Sequence, residues 1–133
     1  MSTSAIAAVL KTLPDLTPNG LGLYEEVTTY VPPEERAVRI HTEQERLLAD
    51  VAGFEAACSW LKSRAKIKSI NRKHCSYGLK HYMERDKFGY VSQGTFIAAA
   101  VHMGFNYACD KKHHSIYINI SEKALTPLSQ VTY

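Results

Sequence analysis

Apolar residues at Ile6, Val9 and Leu10 recur at helical spacing, and Ser2, Thr3 or Ser4 can cap the helix they predict over 4–12. Leu13-Pro14 ends it, because a residue before proline avoids the α region. The stretch 14–33 carries Pro14, Pro18, Asn19-Gly20, Gly22 and Pro32-Pro33, and reads as a long irregular connection with a short strand at 27–31. A second short strand is expected at 37–40, where Val38 and Ile40 flank Arg39. Thr42 to Glu45 has the form of a capping box. Leu47, Leu48 and Val51, then Phe54, Ala57, Cys58 and Leu61, predict two helices, about 43–51 and 54–65, or one helix bent at Gly53. Lys66 to Ile70 alternates basic and apolar residues and suits a short strand or a charged linker.

From Ser76 the pattern sharpens. Ser76 is the expected N-cap of a helix to about Asp86, with Leu79, Tyr82 and Met83 on its inner face. Lys87 to Val91 is a turn. Ser92 caps a second helix, 93–103, and Gly104 is suited to end it. That helix is apolar on every side (Phe96, Ile97, Ala98, Ala99, Ala100, Val101, Met103), as a buried helix or a dimer interface would be. The period then changes to two. Phe105, Tyr107 and Cys109, then Ile116, Ile118 and Ile120, flank the polar stretch 110–114 and predict a β-hairpin with Cys109 turned inward. Residues 122–133 read as a surface tail.

The expected fold is therefore α+β, mainly α: a helix-turn-helix followed by a β-hairpin, winged-helix-like, with an N-terminal helical and irregular extension. The division is 1–41 for the extension, 42–121 for the core and 122–133 for the tail. In winged modules the second helix enters the major groove and the hairpin touches the backbone beside it.

Charge adds a direction. The 133-residue chain has a net charge of +3, but residues 1–61 hold four bases and nine acids, a net −5, whereas residues 62–133 hold twelve bases and four acids, a net +8. Such asymmetry points to a nucleic-acid or acidic partner; the competing explanation is that the acidic half neutralises the basic one within the fold. The expected contacts are Arg72, Lys73, Lys80, His81 and Arg85, Gln93 at the second helix start, and Lys111 and Lys112 at the hairpin tip. Backbone N–H groups at the helix starts (Ser76, Tyr77, Ser92, Gln93) also favour phosphate. The second helix offers only Gln93, Thr95 and His102 as polar groups, so phosphate and shape weigh more than base readout. Tyr77, Tyr82, Phe88 and Tyr90 interleave with the bases; they can stack single strands, although Tyr82 and Phe88 are better explained as core.

Other classes are poorly served. No apolar run reaches the length of a membrane span, and the N-terminus lacks the basic region of a secretory leader. Three widely spaced cysteines (Cys58, Cys75, Cys109) form no disulfide framework, which suits a cytoplasmic protein. His102, Cys109, His113 and His114, and separately His74, Cys75 and His81, lack the paired spacing of zinc ligands. No cofactor or catalytic motif occurs, and Cys75 beside His74 or His81 is an ordinary coincidence, so the expectation is a protein without cofactor or enzymatic role.

The segments Ser76-Tyr77-Gly78-Leu79-Lys80-His81 and Tyr90-Val91-Ser92-Gln93-Gly94-Thr95-Phe96-Ile97-Ala98-Ala99-Ala100, with Tyr117 to Ser121, resemble small uncharacterised proteins carried by bacterial phages, plasmids and integrative elements. The likeness covers about 54–121 and assigns no activity. It implies a mobile-element setting, where proteins of this size serve as DNA-binding regulators or as inhibitors that block a host defence complex. The first role is a nucleic-acid-binding, DNA-binding module. The second is a protein-interaction module docking on a host nucleoprotein complex.

Overall fold

The fold is arranged around the helix that Ser92 begins. A computed structural model describes residues 2–125. In it Ser92 caps α5 (Gln93–His102) by accepting a hydrogen bond from the Thr95 N–H, and Gly104 closes the far end with φ +84°. Every side chain from Gln93 to Ala100 is buried. Six elements enclose it: α1 (Ser2–Thr12), α3 (Val51–Lys62), α4 (Ser76–Arg85), the two-residue strands β1 (Leu16–Thr17) and β2 (Gly20–Leu21), and the hairpin strand β4 (Ser115–Ile118). α5 is thus the core itself; no face of its buried stretch is left to enter a DNA groove or to meet a second subunit.

The first half of the chain is more ordered than its sequence suggests. Strand β1 (Leu16–Thr17) pairs antiparallel with β2, and the Pro18-Asn19 tip of this hairpin rests on the start of α5. The Gly94 N–H donates to the Pro18 carbonyl, and a Cβ on Gly94 would sit 1.8 Å from the Thr17 carbonyl oxygen, so only glycine allows the approach. No strand forms at 27–31, where a 3-10 turn (Tyr24–Val27) is followed by irregular chain. Nor does one form at 37–40, which lies inside α2 (Pro33–Ala49). Pro33 at the first helical position supplies a preset φ, Glu34 and Glu35 suit the positive helix start, and Ile40 and Leu47, seven apart, are its buried stripe. A three-residue alternation is too short to compete. Thr42, being mid-helix, is no cap; its hydroxyl donates to the Val38 carbonyl four residues back.

The break between α2 and α3 falls at Asp50 and not at Gly53. Asp50 leaves helical geometry, and its carboxylate accepts from the Gly53 N–H. Gly53 serves the break indirectly: a Cβ there would lie 2.5 Å from the Asp50 carboxylate. The basic segment after α3 is a linker laid along the sheet. Strands β3 (Tyr107–Asp110) and β4 pair in the expected hairpin, and residues 65–75 run beside β4. Ile67 and Asn71 donate backbone bonds to Asn119 and Ile118, the Ser121 N–H donates to Ala65, and isolated bridges join Lys66 to Ile120 and Cys75 to Tyr117.

One apolar core runs from Ile6 to Leu125 and includes Leu16, Leu21, Trp60, Leu79, Met83, Phe96 and Ile116. It therefore takes in residues of the N-terminal extension and the first part of the expected tail; residues 126–133 lie outside the described residues. Leu23, Val31 and Ile40 form a small satellite under α2. Cys109 is exposed although Ile116, opposite it, is buried, because β3 is the outer strand of the pair. Phe88 is exposed too, while Tyr82 is core as expected. The architecture is mixed α+β and mainly helical, and no helix of the described residues is long and apolar enough to cross a membrane.

Candidate nucleic-acid interface

Seven of the eight expected contact residues fall into three places, and Gln93 stands apart at the start of α5. Arg72 and Lys73 lie on the linker beside β4, exposed, with the Arg72 guanidinium 5.7 Å from the centre of the Tyr117 ring. Lys66, on the same linker, stands 4.8 Å over Phe105, and Lys68 between them is exposed. The charges of Lys66 and Arg72 thus lie over aromatic rings while both side chains remain exposed. Backbone bonds to β4 and the Asn71 amide, which donates to the Ile120 carbonyl and to Glu122, hold this edge in place. His74 bonds Glu122 at 3.0 Å and, with Asn71, holds its carboxyl below the usual range.

Lys80, His81 and Arg85 form a second group on α4, already engaged with carboxylates. The Lys80 ammonium is buried and donates to Glu84 at 3.1 Å; His81 contacts the other Glu84 oxygen. Burial raises the Glu84 pKa, but the bonds from Lys80 and His81 outweigh it and leave it lowered. Arg85 binds Asp86, which also accepts from the Trp60 indole at 2.8 Å and from Arg64. Gln93 is a framework residue: its carbonyl oxygen accepts from the Ser76 and Ser115 hydroxyls, and its amide nitrogen donates to the Asn19 carbonyl. Ser76 does not cap α4; Cys75 holds that position, and Ser76 ties α4 to Gln93 and to the Ile116 N–H. The α5 N–H groups of Gly94, Thr95 and Phe96 are likewise taken by Pro18 and Ser92.

Lys111 and Lys112 form the third group, exposed at the hairpin tip. They border a groove of about 490 Å³ with Asp15, Glu26, Arg36 and His114. Arg36 binds both acids, its hydrogen bond holding the Glu26 carboxyl below its usual range, and the His114 ring contacts the Leu21 carbonyl.

Across these groups the ion pairs have a simple distribution. Arg36, Arg39, His41 and Arg46 pair with Asp15, Glu26, Glu35, Glu43 and Glu45; Arg64, His74, Lys80, His81, Arg85 and His113 pair with Glu84, Asp86, Asp110 and Glu122. Among the described residues no ion pair joins a base after Leu61 to an acid before it. Within the same residues Lys62, Lys66, Lys68, Arg72, Lys73, Lys87, Lys111 and Lys112 enter no ion pair.

A separate cleft of about 760 Å³ opens between α2 and α4. Tyr77, Lys80, His81 and Glu84 form one wall, Glu43, Arg46 and Asp50 the other, and Ser92, Gln93 and Thr95 the floor. The sequence pattern draws attention to the α4 wall. It holds no hint of the α2 wall, which lies some thirty residues away. Among the described residues no three metal-ligating side chains converge. Comparison with protein-family models, with curated proteins and with solved structures finds no match.

Proposed function

We propose that this protein binds nucleic acid through the phosphate backbone, along the basic edge formed by Lys66, Lys68, Arg72 and Lys73 beside β4. The observation that carries the reading is the distribution of ion pairs: among the described residues none joins a cation of the second half to an acid of the first. A field of bases outside ion pairs, on a pinned segment, attracts a polyanion and gains affinity by counterion release. The order helix-turn-helix-hairpin is that of a winged module, but the exposed element here is the wing side. Since α5 is the core, base readout by a recognition helix drops out. Phosphate contacts from the edge, with Lys111 and Lys112 at the tip, remain. The resemblance to phage and plasmid proteins supports a role on a mobile element, as a small DNA-binding regulator in the cytoplasm.

Titration of labelled DNA against the protein at several salt concentrations tests this. Log affinity should fall linearly with log salt. The K68A/R72A/K73A variant should both weaken binding and flatten the slope, by about 0.9 for each duplex phosphate that is no longer neutralised. An unchanged slope would remove the edge from the reading. A second reading is favoured by a different surface. Tyr24, Tyr30 and Val38 are exposed at 72%, 80% and 67% on the acidic half, and Tyr24 and Val38 line a groove of about 680 Å³. Such a face suits docking on a host protein complex. No DNA binding at low salt, together with co-elution of one host protein, would favour it.

A further inference from the structure

Tyr77 and Tyr90 are exposed at 54% and 78%, which is unusual for large aromatic rings that are nonetheless held in place. What holds them is Lys80. Its ammonium, on a side chain that is almost wholly buried, lies 5.4 Å from the Tyr77 ring centre and 4.8 Å from that of Tyr90. Both rings therefore border one space at the mouth of the α2–α4 cleft, and they stand no farther apart than those two distances together. Tyr77 also makes an edge contact with His81 at 4.8 Å.

The charges inside the cleft come close to balance. Glu43, Asp50 and Glu84 face Arg46, Lys80 and His81, and each acid already has a partner: Arg46 for Glu43, Lys80 and His81 for Glu84, and the Thr95 hydroxyl and Gly53 N–H for Asp50. Such a lining gives no net attraction to a phosphate chain. It suits a flat, uncharged, polar group that stacks on tyrosine, donates amino protons to carboxylates with lone pairs to spare, and accepts from the remaining Lys80 N–H groups. A nucleobase has those properties, and one bearing an exocyclic amine has all of them. Lys73 stands four residues before Tyr77, so the basic edge leads to the cleft mouth.

We propose that the cleft takes an unpaired nucleobase between Tyr77 and Tyr90, so that the nucleic acid held by the basic edge is single-stranded. This rests on the reading of that edge as a phosphate track, and the test separates the two. Labelled oligo(dC), oligo(dT) and a duplex of equal length are titrated with the wild type, Y77A, Y90A, Y90F and K68A/R72A/K73A, each checked for an unchanged thermal melt. The proposal expects tighter binding of oligo(dC) than of oligo(dT) or duplex. It expects about tenfold loss for single strands in Y77A and Y90A, retention in Y90F, and duplex affinity left as it was. Wild-type affinity for oligo(dC) in Y77A and Y90A, with loss in the edge variant, would overturn the base pocket and leave the edge standing. If the wild type bound no polynucleotide, the edge reading would fail. Cytidine monophosphate would then decide the cleft alone: chemical-shift changes at His81 that vanish in Y77A would uphold it, and their absence would overturn it.

Discussion

Asp50 shows how much one side chain can join. Its carboxylate caps α3 by accepting from the Gly53 N–H, and its second oxygen accepts from the Thr95 hydroxyl on α5, which in turn accepts from Ser92. The break between two helices is thereby tied to the start of the central one. Asp50→Ala should cost about 1–2 kcal/mol, read as a lower denaturant midpoint with an unchanged slope. The cysteines differ by environment. Burial pushes the Cys58 thiol up to about 11, whereas Cys109 is exposed on β3. A maleimide at neutral pH should label Cys109 within the time that leaves Cys58 untouched; equal rates would place Cys58 in solvent. Alternation puts Cys109 on the same side as Ile116, its opposite number; Ile116 is covered because β4 packs on α4 and α5, whereas β3 is the outer strand and leaves Cys109 in water.

At the scale of elements, α4 carries apolar residues inward and charges on a polar stripe, and its C-terminal end is anchored by Asp86. Burial raises the Asp86 pKa, but the Trp60 indole, Arg85 and Arg64 lower it more, so the folded value lies below the ordinary 3.8. A group depressed in this way stabilises the fold fully above its unfolded value and loses that contribution as pH falls through the folded one. Asp86→Asn should therefore be less stable than the wild type at pH 7, and the gap should close as the pH drops below about 4; a constant gap would mean that charge at this site is irrelevant. Glu26, Glu84 and Glu122 are depressed as well, so acid unfolding should begin below their ordinary 4.5. The elements themselves were unequally readable. Ser92 with its apolar run and Gly104 marked α5 to within a residue, because cap, run and stop are all local. The second half of α2 agrees with the helix expected at about 43–51, but its first half was missed because its start depends on Pro33 at the first position, whereas the alternation of Val38 and Ile40 imitates a strand.

For the whole molecule the leading fact is that, among the described residues, no ion pair joins a base of the second half to an acid of the first. Lys111 and Lys112 test how far the positive field extends, since the tip borders a groove whose acids Arg36 already holds. K111A/K112A should weaken nucleic-acid binding and flatten its salt slope, and the effect should add to that of K68A/R72A/K73A because the two sites share no partner. A tip variant with wild-type salt dependence would confine the interface to the linker.

By itself, the sequence determined the mainly helical α+β class, the last helix, the hairpin and the imbalance of charge, since each follows from local period, capping chemistry or composition. Tertiary structure alone decided which positions face water. It turned α5 from a reading helix into the core by covering it on all sides, and it set Gln93 to bonding with Ser76, Ser115 and Asn19. It also laid the basic linker against β4 and brought α2 across from α4 to make a cleft. Contacts between residues tens of positions apart leave no mark in the local pattern, because burial depends on what the rest of the chain places on top.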